Sequence, residues 1–66
     1  MATVWTRKEV LTEQEWDRFE EIDGTSYWDM STEDFCLFMQ VMDLADILDS
    51  EEIKDLLKKK DIVFGE

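Results

Sequence analysis

Apolar residues recur at helical spacing through the middle of this chain and cluster at strand-like density near its two ends. Between residues 13 and 22, Trp16, Phe19 and Ile22 repeat every three residues among charged neighbours, which predicts an amphipathic helix with these three as its buried stripe. Its start is written in Thr12 and Glu15. Thr12 can accept from free amides of the first turn while Glu15 reaches back to the Thr12 amide, with Leu11 and Trp16 placed as a hydrophobic staple. Asp23-Gly24 supplies the stop, because glycine takes the left-handed conformation past a helix end without steric cost.

The same grammar returns at Ser31, followed by Glu33 and Asp34 in the first turn and flanked by Met30 and Phe35. From Phe35 to Leu48 only Gln40, Asp43 and Asp46 are polar, and with Glu33 they fall on one narrow stripe. A single central helix surrounded on most sides is expected. A third helix is expected after Asp49 as cap, with Glu52 at its third position and Leu48 and Ile53 as the flanking apolar pair. It would end on Lys58-Lys59-Lys60, where cations meet the negative end of the helix dipole. Ile53, Leu56 and Leu57 would face inward, and Glu51 with Lys54 would offset the repulsion between Glu51 and Asp55.

Thr3-Val4-Trp5-Thr6 and Ile62-Val63-Phe64 are rich in branched and aromatic residues. They either pair as a two-stranded element or lie as extended arms that pack Trp5 and Phe64 on the helices. Residues 24–29, containing Tyr27 and Trp28, form the clear loop. The expected fold is mainly α, a single small acidic domain over residues 1–66 with three helices and a minor two-stranded β element formed by the chain ends (α+β).

Length makes this domain marginal. A chain of 66 residues buries only roughly 60% of the surface its unfolded form exposes. Eight aromatics (Trp5, Trp16, Phe19, Tyr27, Trp28, Phe35, Phe38 and Phe64) nevertheless exceed what a charged, disordered chain carries, so a folded core is expected.

Charge changes the picture most. Between Glu13 and Asp55 lie fifteen acidic residues against two basic ones, Arg18 and Lys54, a local charge of −13 within a net −11. Such a field repels nucleic acid and anionic membranes and attracts cationic surfaces. Direct nucleic-acid binding and membrane association are therefore not expected, and a basic protein surface is the expected partner. No stretch approaches the ~20 apolar residues of a membrane span and no signal-peptide core is seen, so a cytoplasmic location is expected.

Candidate chemistry is sparse. There is no histidine and one cysteine, Cys36, so sites built from Cys and His are excluded and no internal disulfide can form. Cys36 has no base to activate it and reads as a small buried hydrophobe. Met39 and Met42 read as core gap fillers, with a dimer seam as the alternative. The stretch from Asp23 to Asp34 imitates a calcium loop in length only. Tyr27 stands where an oxygen ligand belongs, Trp28 where glycine belongs and Asp34 where glutamate belongs. No cofactor or metal is implied. Carboxylates are too abundant for any pair to stand out as acid and base, and the outward-facing ones lack the burial that shifts a pKa. The chain does not read as an enzyme.

Binding residues are then sought among the carboxylates and the exposed aromatics. Glu13, Asp17, Glu20 and Glu21 recur at three- and four-residue spacing on the first helix, Asp43, Asp46 and Asp49 on the second, with Glu52 beyond. Such rows space carboxylates much as one nucleic-acid strand spaces its phosphates, so they can imitate that strand before a groove lined with Lys and Arg. Tyr27 and Trp28, rimmed by Asp23, Asp29, Glu33 and Asp34, are the candidate aromatic anchor. Solvation of an acidic protein, and Trp28 as a lid on the core, are the simpler alternatives.

In size, charge and lack of catalytic residues the chain resembles the small acidic proteins that phages and mobile elements use as nucleic-acid mimics or stoichiometric inhibitors of host defence, in the anti-CRISPR or anti-restriction manner. That resemblance transfers no residue. It implies a non-enzymatic inhibitor occupying the basic nucleic-acid-binding surface of a partner. The alternative is a helical adaptor that dimerises through the apolar second helix.

Overall fold

The computed structural model describes residues 1–65. Element order is β1 (Thr3–Trp5), α1 (Glu13–Ile22), a 3₁₀ turn (Tyr27–Asp29), α2 (Thr32–Val41), α3 (Leu44–Asp49), α4 (Glu51–Lys59) and β2 (Ile62–Phe64). The domain is α+β, with the chain ends paired as expected.

Local chemistry explains most boundaries. Thr12 Oγ1 accepts from the Glu15 amide at 3.2 Å while Glu15 Oε1 accepts from the Thr12 amide at 3.0 Å, completing the capping box of α1. Asp23 leaves the helix in an extended conformation, and Gly24, at φ 90°, fills the positive-φ position of the tight turn in which the Thr25 amide donates to the Ile22 carbonyl at 3.0 Å. Ser31 Oγ accepts from the Asp34 amide at 3.2 Å and opens α2.

Two boundaries correct the sequence expectation. The expected continuous second helix breaks after Val41, and α3 starts afresh at Leu44, giving four helices rather than three among the described residues. The carbonyls of Gln40 and Met42 at the break accept from Arg7 Nη1 and Nη2, each at 2.7 Å. A guanidinium thus caps the negative end of α2 from across the molecule. The cap of α4 is Ser50, whose Oγ accepts from the Ile53 amide at 3.3 Å; Asp49 instead closes α3. Both residues are good caps, so the sequence left a one-residue ambiguity.

β1 and β2 pair in parallel, with Thr3 opposite Ile62, Val4 opposite Val63 and Trp5 opposite Phe64. Gly65 follows with its amide donating to the Trp5 carbonyl at 2.8 Å, and a Cβ there would lie 2.7 Å from Val4 Cγ1, so the close approach needs glycine.

The core unites both ends with the helices: Trp5, Met30, Phe35, Met39, Ile47, Ile53, Leu56 and Ile62. Lys60, expected only as part of a helix end, sends its ammonium to the Met30 carbonyl at 2.6 Å and so ties the end of α4 to the entry of α2. Trp16 departs from expectation. It is 45% exposed, because α1 packs chiefly on α2 and Trp16 lies about 60° around the helix from Phe19. It meets Phe19 edge-on and is otherwise open on one flank. No helix of the described residues is long and apolar enough to cross a membrane.

Asp61 occupies the left-handed position after α4 at φ 55°, with its amide donating to the Lys58 carbonyl at 3.2 Å. Asp61→Gly removes the Cβ strain there while its backbone carbonyl keeps accepting from Thr3. After the added entropy of glycine in the unfolded chain, stability is expected to rise by about 0.5–1 kcal/mol. Urea unfolding is the check; an unchanged or lower midpoint would show that the carboxylate itself holds the turn.

Candidate functional site

α1 carries an exposed acidic face. Glu13, Asp17, Glu20 and Glu21 lie within an arc of about 100°, and all four are exposed. On the flank nearest α2, Arg18 reaches Asp34 through Nε at 3.0 Å and Nη2 at 2.8 Å, and Glu21 through Nη1 at 2.9 Å. The guanidinium, followed by the Ser31 hydroxyl, holds the Asp34 carboxyl below the usual carboxylate range against the opposing effect of burial. Glu21 is thereby partly neutralised, whereas Glu13, Asp17 and Glu20 have no ion-pair partner among the described residues. Trp16 lies about 40° from Glu20 around the helix, so an exposed indole borders the acidic arc.

The acidic surface as a whole is little compensated. Glu15, Glu21, Asp34 and Glu51 are ion-paired, leaving thirteen of the seventeen described carboxylates without a cation. The basic residues are largely spent within the fold: Arg7 on α2, Lys8 on Glu15, Arg18 on Asp34 and Lys60 on Met30.

The remaining residues picked from the sequence divide among other elements. Asp43 precedes α3 while Asp46 and Asp49 sit on it, all exposed, so the row expected along one continuous helix is confined to this short one. Opposite them Leu44 and Leu48, four residues apart on one face, are 48% and 47% exposed. The expectation of one central helix surrounded on most sides did not single out that apolar pair.

Tyr27 and Trp28 part company. Tyr27 is half-buried, its ring 5.2 Å from Phe38 and 6.0 Å from Phe35, so it belongs to the aromatic layer between α1 and α2. Trp28 is 48% exposed, with Nε1 donating to Glu52 Oε1 at 3.1 Å and the Lys59 ammonium 5.0 Å from its ring centroid. The indole rests on α4 with one side open. Asp23, Tyr27, Phe38 and Glu52 line a shallow depression of about 410 Å³ beside it.

Cys36 is half-buried on α2, and its carbonyl accepts from Trp5 Nε1 at 2.9 Å. Burial, then the Glu33 carboxylate, push its thiol pKa up, away from the reactive thiolate. Among the described residues, no three metal-binding side chains are grouped to hold an ion. A second, larger cleft of about 560 Å³ runs between β1 and α2. Compared with protein-family models, curated proteins and solved structures, the chain matches none.

Proposed function

We propose that this protein acts by binding rather than catalysis, as a stoichiometric inhibitor whose acidic α1 face occupies the basic nucleic-acid-binding surface of a partner protein. The supporting observation is the uncompensated row of Glu13, Asp17 and Glu20 on that helix, exposed and bordered by Trp16. Residues at these spacings have Cβ atoms about 5–6 Å apart, comparable with successive phosphates of one strand. A net charge of −11 exceeds the magnitude of ~2–8 that keeps a small domain soluble. Its self-repulsion is a stability cost for which partner recognition is a physical reason. Asp43, Asp46, Asp49 and Glu52 extend the field, and Trp16 and Trp28 supply apolar contact where a charged row alone would be easily screened by salt.

The test is affinity capture from the source cell's lysate, eluted by rising salt and by added DNA or RNA. A nucleic-acid-binding protein displaced by nucleic acid is expected. The variant carrying Glu13→Gln, Asp17→Asn, Glu20→Gln and Glu21→Gln should bind that protein about tenfold or more weakly, the summed effect of several exposed charge pairs. Undiminished binding by this variant would remove α1 as the contact surface.

A second reading, an adaptor that self-associates, draws on exposed Leu44 and Leu48. Met39 is fully buried within one chain, so a seam through Met39 is disfavoured, and the exposed apolar pair on α3 supports this reading instead. A salt-resistant partner, or recovery of the protein alone, would favour it.

A further inference from the structure

Among the described residues the outer edge of β1 is open, and it borders a cleft. Thr3 donates its amide to Asp61 at 2.8 Å and Trp5 accepts from Gly65 at 2.8 Å, so these two residues turn their backbone groups toward β2. Alternation along a parallel pair then points the N–H and C=O of Val4, between them, away from β2. Further along the same edge, the Gln40 side chain takes the place of a neighbouring strand. Its Nε2 donates to the Thr6 carbonyl at 2.6 Å and its Oε1 accepts from the Lys8 amide at 2.9 Å. Val4 has no such partner among the described residues. It lines the cleft of about 560 Å³ together with Thr6, Glu33, Cys36, Leu37 and Gln40, and with Lys8 and Glu15, which neutralise each other in an ion pair.

We propose that this cleft receives an extended segment of a partner protein, one alternating apolar with Lys or Arg residues, which adds as a strand to the outer edge of β1. Backbone pairing identifies the extended conformation, since a strand offers an acceptor and a donor at the spacing that Val4 presents. Cys36 and Leu37 on the α2 wall offer apolar surface to alternate side chains. Charge selects the others. Glu33 is exposed at the cleft without an ion-pair partner among the described residues, and the field of a −11 protein favours a cationic segment. The same field opposes a second copy of this chain as the occupant. This surface is separate from the α1 face and stands or falls without it.

The probe is the peptide acetyl-Lys-Val-Lys-Val-Lys-amide, titrated into the isotopically labelled protein and followed by backbone amide shifts and hydrogen exchange. Binding should shift Val4, Cys36 and Leu37 and slow exchange at Val4. A counterpart peptide N-methylated throughout carries the same charge but cannot donate backbone hydrogen bonds. It should bind at least about fivefold more weakly, the equilibrium counterpart of one net backbone hydrogen bond. Val4→Pro, which deletes the outward donor, keeps an apolar side chain at the cleft and leaves the β1–β2 ladder its bonds, should weaken the parent peptide similarly. Should that variant fail to fold, the peptide pair on the unaltered protein still decides. Equal affinity of the two peptides, shifts confined to α1, no binding at millimolar peptide, or self-association of the protein alone would each overturn the proposal. Peptide binding that survives neutralisation of the α1 carboxylates would separate this site from the inhibitor reading.

Discussion

Trp5→Ala is expected to leave the chain without a cooperative fold at room temperature. The side chain is 5% exposed, its ring packs against Phe64 at 5.2 Å, and its Nε1 donates to the Cys36 carbonyl. It is the contact through which β1 enters the core shared by α2, α4 and β2. Truncating a buried tryptophan costs about 3–5 kcal/mol, and a core of this size rarely supplies more than ~3–5 kcal/mol. The two magnitudes cancel. Far-UV circular dichroism with urea titration is the measurement, and a sigmoidal transition near the parental midpoint would show that the helices hold together without β1. Trp5→Phe separates the causes: it keeps most of the apolar volume, loses the N–H donor, and should cost about 1–3 kcal/mol while leaving the fold cooperative.

Arg7→Met is the second large effect. Methionine keeps an apolar stem but removes both donors to the carbonyls of Gln40 and Met42. Hydrogen bonds from a charged donor contribute ~1.5–3 kcal/mol, discounted here because the side chain is exposed, so about 1–2 kcal/mol in all is expected to be lost. For a domain of this size that lowers the unfolding temperature by roughly 5–15 °C. Arg7→Lys should recover less than half, because an ammonium cannot span two carbonyls as the planar fork does. Thermal denaturation of the three proteins is the check. Equal stability of the methionine variant would place the origin of the α2–α3 break in residues 41–44 themselves.

That break also shows where sequence reasoning stops. The starts of α1 and α2 were legible because Thr12 and Ser31 find their partners three residues away. The turn at Asp23-Gly24 ended α1 for an equally local reason. The break after Val41 was not legible, since the group that accounts for it, Arg7, stands 33 and 35 residues earlier. Trp16 was misplaced for a related reason: its phase on α1 makes burial depend on a second element covering that flank. Among the candidate binding residues, the outward phase of Glu13, Asp17 and Glu20 could be read directly from their spacing. The separation of Tyr27 from Trp28 could not, because adjacent residues in a short turn go to whichever neighbour the helices bring close, Phe35 and Phe38 in one case and α4 in the other. That Val4, rather than Thr3 or Trp5, turns its N–H and C=O outward depends on the register of the pairing with β2, which the sequence did not show.

The parallel register also constrains how the molecule comes into being. Thr3 pairs with Ile62, 59 positions later, so the sheet closes a loop spanning nearly the whole chain, a slow step relative to the local helices. During synthesis the first strand emerges long before its mate is translated. Until Ile62 and Phe64 leave the ribosome, Trp5 lacks the neighbours it has in the finished sheet. Helices as short as these are marginal alone, so the core is completed only once Ile62 is available to join it.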